Sequence, residues 1–189
     1  ASRYGVLAMN LSKNSKNYAI AIPHGMAYSY RYPLGLFGQK YYCTSAVEAK
    51  HLNESYNEEK FVFDSKISST LYKRAFLGEE NPKIVFFTEP RRPLVNLLII
   101  ENIKKSLTHT LFLKLHPLEK KDFYKDVKGI EFIENIDEAI QSNICISRKS
   151  TILVEALYNN SQSLALLVDE QDAYDFANTF PSLSDPRIT

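Results

Sequence analysis

Three short polar runs stand directly after apolar, strand-like segments, and their residue types suit the holding of an anion. Thr88, Glu89, Pro90, Arg91 and Arg92 follow KIVFF; His116 and Pro117 follow LFLKL; Ser147, Arg148, Lys149, Ser150 and Thr151 follow NICI. Hydroxyl, imidazole and guanidinium groups all donate hydrogen bonds, and the amides at a helix start add partial positive charge. In SRKST before ILVEAL, Ser150 or Thr151 reads as an N-cap. Hydroxyl, helix amides, Arg148 and Lys149 would then together form a place for phosphate, with no glycine-rich loop required. The plain alternative is an ordinary cap flanked by solvated charges. Glu155, one turn into the same helix, would meet a ribose hydroxyl or face solvent.

His116 is the sharpest single candidate. Pro117 removes a backbone donor and fixes the dihedral of the following turn, so the imidazole is confined at the strand exit and can donate to an anion. A histidine satisfied structurally by its neighbours is the competing reading. Lys114 alternates with buried neighbours and ranks below it. In IPHG, Gly25 lets the backbone turn sharply or approach a ligand, and His24 is a candidate acid, base or phosphate donor, or simply a turn residue. His51 and His109 receive no role. The four histidines and two cysteines show no metal-ligand spacing, so neither a metal nor another cofactor is expected. G-x-G-x-x-G, the glycine- and lysine-containing phosphate loop and the serine elbow are also missing, which argues against dehydrogenase, kinase and hydrolase chemistry.

The elements that must position these residues alternate regularly from residue 81 onward. PKIVFFTEP gives a strand, PLVNLLIIENIKKSL a helix with Pro93 in its first turn, and LFLKLHP a strand. LEKKDFYKDV then reads as a short polar helix, GIEFIE as a strand, IDEAIQS as a helix and NICIS as a strand. TILVEALYNN follows as a helix, SLALLVD as a strand and EQDAYDFANTF as a last helix. Short apolar strands alternating with helices predict an α/β fold, a doubly wound, Rossmann-like and mostly parallel sheet. Ligands of such sheets bind outside the carboxyl ends of the strands, where all three polar runs fall.

Residues 1–80 are less regular and read as a partial first unit with a linker; residues 81–189 read as a complete second unit. NYAIAIPHG and KFVFD are strands, and TSAVEAKHLNESY is a helix capped by Thr44 or Ser45. The tyrosine-rich stretch between them has no assignable period; Tyr28, Tyr30, Tyr32, Tyr41 and Tyr42 would line an acceptor channel or pack beneath a loop.

Composition bounds the rest. The 189 residues, 44% hydrophobic, suffice for a real core within one or two domains. Twenty-three basic against 22 acidic side chains leave a formal charge of +1, so no overall field recruits nucleic acid, and an anion must be held locally. Cys43 and Cys145 lie in apolar segments and are expected as free, buried thiols in a reducing, cytoplasmic setting. No apolar run has the length of a membrane span. The first residues lack the pattern of a signal peptide, and the abrupt start leads us to expect a piece of a longer protein.

An HG loop near the start, a strand ending in KLHP and, about thirty residues later, a serine-rich exit before a helix with EAL resemble the two-domain GT-B glycosyltransferases that use cytidine-activated donors. The bacterial sialyltransferases and polysialyltransferases, with their HP and serine motifs, are most similar; capsule Kdo transferases and CDP-glycerol glycerophosphotransferases also look similar. The likeness spans roughly residues 20–170. It implies a CMP-sugar donor, a glycan acceptor in bacterial surface polysaccharide or lipooligosaccharide synthesis, and work at the inner face of the membrane. It further implies that His116, with Pro117, contacts the donor phosphate. Ser150 with Thr151, or Ser147, would share that phosphate, and Glu155 would lie near the ribose.

The sequence departs from those families in one respect: no acidic-glycine motif for the general base precedes residue 81, since Gly78 comes before Glu79 and Glu80. It is also short for two full domains. A missing N-terminal domain, or a reduced relative that no longer catalyses, is therefore expected. A CDP-alditol phosphotransferase, a UDP-sugar enzyme of the same fold and a non-catalytic binding domain remain as alternatives.

Overall fold

The computed structural model describes residues 19–22, 38–75, 81–90 and 92–189. His24, Gly25, the tyrosines at 28, 30 and 32, Arg91 and the Gly78 to Glu80 run lie outside those residues. The chain divides into two compact units, one of residues 1–71 with 174–185, the other of residues 72–173 with 186–189.

In the first unit, β1 (Ile20–Ala21), β2 (Lys40–Tyr42) and β3 (Phe61–Val62) form a parallel sheet in that order. Gly38 enters β2 with φ +66°, and a Cβ there would lie 2.8 Å from the Ala19 carbonyl oxygen, so the close approach to β1 requires glycine. Helix α1 (Ala46–Tyr56) begins at Ser45, whose hydroxyl accepts from the Glu48 amide, and ends at Asn57 in the left-handed conformation. Cys43, Ala49, Leu52 and Phe61 make the core. Tyr41 meets Phe61 edge-on, and Phe61 stacks on Tyr56 at 5.3 Å between ring centroids. Tyr41 therefore packs against a core ring from within β2. The Glu48 carboxylate is buried and accepts from the Thr44 and Ser182 hydroxyls, which ties a 3-10 turn at Pro181–Ser184 onto α1. Helix α2 (Ser65–Tyr72), which has no counterpart in the sequence expectation, follows β3.

The second unit has the expected architecture: a five-stranded parallel sheet with helices on both faces. Its strands are β4 (Ile84–Phe87), β5 (Leu111–Lys114), β6 (Ile130–Phe132), β7 (Ile144–Ser147) and β8 (Gln162–Ala165), ordered β6-β5-β4-β7-β8. Between them run α3 (Pro93–Ser106), α4 (Ile136–Ile140) and α5 (Ile152–Ala156), and α6 (Glu170–Asn178) follows. Pro93 takes the first turn of α3, and Lys104 and Lys105 stand at its negative end. Asn135 caps α4 by accepting from the Asp137 amide at 2.8 Å.

Strand alternation explains the two layers. Val85, Phe87, Phe112 and Cys145 face one side, packing with Ile136, Ala139 and Ile140 of α4 and Ile152 and Ala156 of α5. Ile84, Phe86, Leu111, Leu113 and Ile146 face the other, packing with Ile99 and Ile100 of α3 and with Tyr124. Because β4 and β7 neighbour each other while the chain between them has gone out to β6 and back, the sheet is doubly wound and its switch point lies at the β4–β7 ends.

Two helices are shorter than their sequence periods predict. The segment expected as a helix over 151–160 is helical only across α5. It then tightens into bonds from Leu157 to Val154, Tyr158 to Glu155 and Asn159 to Ala156, and stops at Asn160 with φ 56°. LEKKDFYKDV yields only a 3-10 turn at Lys121–Tyr124, because Lys120 before it is extended.

Cys43 and Cys145 are buried and free. Burial, with Glu48 adding to it, pushes the Cys43 thiol far up; burial pushes Cys145 up to about 12. Neither offers thiolate at neutral pH. Native protein at pH 8 is expected to react with an aromatic disulfide reagent only as fast as it unfolds, and to yield two thiols in denaturant. Rapid modification of one thiol in native protein would contradict this.

Candidate functional site

The exits of β4, β5 and β7 carry the expected candidates, and the structure sorts them into two groups. At the switch point, Arg148 is 1% exposed and each nitrogen of its guanidinium makes a hydrogen bond. Nε donates to Asp172 Oδ2 at 2.7 Å, Nη2 bonds Asp172 Oδ1, and Nη1 donates to Glu89 Oε2 at 2.7 Å. Glu89 Oε1 accepts from the Lys149 amide at 3.3 Å, and the Lys149 ammonium lies 3.1 Å from Asp172 Oδ1. Burial alone would raise the Asp172 carboxyl, but bonds from Arg148, the Val168 amide and Lys149 outweigh it and hold the acid below its usual value. Two cations and two carboxylates thus satisfy one another where a phosphate was expected.

The other candidates of that exit turn inward or serve the chain locally. The Ser147 hydroxyl donates to the Phe87 carbonyl at 3.2 Å. Ser150 Oγ accepts from the Ile152 amide at 3.3 Å, and Thr151, which holds the N-cap position, makes no side-chain cap bond. Glu155 is largely withdrawn from solvent: its carboxylate pairs with Arg74 Nη2 at 2.9 Å, and Arg74 in turn donates its amide to Asn159 Oδ1.

Thr88 and His116 form the second group. The His116 amide donates to Thr88 Oγ1 at 3.1 Å, and the Thr88 hydroxyl donates to Glu119 Oε2. Glu119 Oε1 accepts from Asn96 Nδ2 at 2.9 Å and from the Tyr124 hydroxyl at 2.7 Å, and the Glu119 amide closes a turn onto the His116 carbonyl. Asn96, buried in the first turns of α3, also brackets Glu89, accepting from its amide and donating to its carbonyl. Burial first, then the bond to Glu119, raises the Tyr124 phenol well above its ordinary value, so it remains a donor. These bonds fix the turn that carries the imidazole.

The imidazole itself is half-buried. His116 Nδ1 accepts from the Leu118 amide at 3.2 Å, which leaves the proton of the neutral ring on Nε2. Among the described residues Nε2 has no partner. His116 borders a groove of about 310 Å³ at the ends of β5 and β6, lined also by Lys114, Lys121 and Glu134 and walled by Leu115 and Phe132. Apolar walls with a few converging polar groups are the usual make-up of a ligand site, and this volume is at the small end of the range.

Sequence reasoning missed Glu119, Asn96, Tyr124 and Asp172. Asn96 was the most detectable of them, a lone amide inside PLVNLLII, where the helix period asks for apolar residues. Comparison of the sequence with protein-family models and with curated proteins finds no match in either.

Proposed function

We propose that this chain is the donor-binding portion of a glycosyltransferase that takes its sugar from a CMP-activated donor, sialic acid being the sugar the HP and serine motifs suggest, and delivers it to a glycan hydroxyl. The observation that carries the reading is the His116 groove. An imidazole N–H with no partner among the described residues is held by a fixed turn at the carboxyl end of a parallel strand, beside two lysines. In the reaction, negative charge develops on the leaving phosphate as the bond to the sugar breaks; His116 and Lys114 meet that charge, an electrostatic task that needs no covalent intermediate. Arg148, Glu89 and Glu155 shape the fold rather than touch the donor, and Thr88 acts through the His116 amide.

A non-catalytic binding domain is the second reading, favoured by the mutual neutralisation of Arg148, Lys149, Glu89 and Asp172 at the switch point. Calorimetric titration with CMP, CDP, UMP and UDP, beside His116→Ala, separates the readings. Cytidine nucleotides are expected to bind, and the variant to lose about tenfold to a hundredfold in affinity, the scale of one hydrogen bond to a charged group. Uridine preference would point to a UDP-sugar enzyme, and no binding to the non-catalytic alternative.

A further inference from the structure

The groove holds an anion of its own. Glu134, exposed just beyond β6, pairs with Lys121 of the 3-10 turn, and both residues line the groove beside His116. Lys121 lowers the Glu134 carboxyl, with a smaller contribution from Lys114. The carboxylate thus lies in the field of the two cations that a bound phosphate would need.

Glu134 is not the sole contact of Lys121. Its ammonium lies 5.1 Å from the centroid of the Phe132 ring, whose face attracts a cation independently of any carboxylate. The cation therefore stays at the groove when the carboxylate swings away. An exposed ion pair is weak, so a ligand of higher charge can exchange for it.

We infer that Glu134 is an internal competitor for Lys121, which an incoming phosphate displaces, and that the groove consequently selects a phosphomonoester dianion. This inference rests on the phosphate-binding reading of the His116 groove. A monoanion exchanges for the carboxylate without a gain in charge, whereas a dianion gains one. In a transfer reaction that exchange favours the phosphate as it departs over the diester of the intact donor, the differential that lowers a barrier.

The test is CMP affinity at low ionic strength in wild type, Glu134→Gln, Lys121→Gln and the double variant. Glu131→Gln, an exposed change on β6 that does not line the groove, controls for net charge. Glu134→Gln is expected to bind CMP about three- to fivefold tighter, the scale of a surface ion pair, and Glu131→Gln to stay at wild type. In the Lys121→Gln background the gain from Glu134→Gln should fall to less than half. Cytidine 5′-phosphate methyl ester, a monoanion, should bind wild type several-fold more weakly than CMP.

Unchanged or weaker CMP binding by Glu134→Gln, with His116→Ala still weakening binding as expected above, overturns the inference and leaves the site reading intact. An equal gain from Glu131→Gln also overturns it, since the effect would then be general charge. Binding of CMP by no variant overturns both.

Discussion

Asp172→Asn is expected to lower the stability of the second unit by about 3 kcal/mol at neutral pH, the low end of the cost of breaking a buried ion pair from one side. The argument is desolvation. Arg148 and Asp172 are each 1% exposed in their side chains, so the guanidinium has no route to water once its principal partner is neutral. Glu89 still accepts from Nη1, which keeps the cost from rising further.

The effect carries a pH signature. Because the folded state holds the Asp172 carboxyl below its unfolded value of about 4, the pair's contribution is complete above that pH. It is lost as pH falls through the lower folded value. Wild type should therefore lose stability below pH 4 more steeply than Asp172→Asn, while being more stable at pH 7. Urea unfolding at pH 7 and at intervals from pH 5 to pH 2 measures both. Equal stability at pH 7, within about 0.5 kcal/mol, would show the cluster to be dispensable. A paired Arg148→Met, Asp172→Leu replacement should recover much of the loss, since apolar groups of similar volume avoid the desolvation cost.

The same cluster shows why the fold was legible in the sequence and the site only partly so. Strand–helix alternation depends on periodicity within a dozen residues, and from β4 to β8 each apolar run became a strand of the parallel sheet. The strand order brings His116 beside Thr88 through the β4–β5 pairing, which residue spacing cannot express. Arg148 illustrates the limit. A basic residue at a strand exit reads as a ligand contact, and only tertiary placement of Asp172, 24 residues later, reveals that its charge is already satisfied. The partner of Glu155 was hidden for the same reason, Arg74 lying 81 residues earlier. In the first unit, β1 and β3 fall within NYAIAIPHG and KFVFD as expected, whereas β2, three residues at the end of the tyrosine-rich stretch, is too short for alternation to declare itself.

Glu119→Ala should cost about 2–3 kcal/mol and reduce CMP affinity about tenfold, two effects with one cause. The carboxylate accepts three bonds, from the Thr88 hydroxyl, Asn96 Nδ2 and the Tyr124 hydroxyl. Removing it leaves buried donors without an acceptor, each such loss costing about 1–3 kcal/mol. The total stays near the cost of one or two, because hydroxyls rotate and Asn96 Nδ2 retains the Glu89 carbonyl and the Tyr124 oxygen. Thr88 is the link to function: freed from Glu119, its hydroxyl no longer holds a fixed position for the His116 amide, and the imidazole leaves its set orientation. Glu119→Gln keeps one oxygen acceptor and should cost about 1 kcal/mol, with most of the affinity retained. Instability alone is controlled by Ile140→Ala, in the core on the opposite face of the sheet, where a comparable or larger loss is expected. That variant, assayed where it remains folded, should bind CMP as wild type does. Were Glu119→Ala also to bind like wild type, the hydrogen-bonded cluster would be an ordinary part of the fold, and the orientation of His116 would have to come from Pro117 and the Leu118 amide alone.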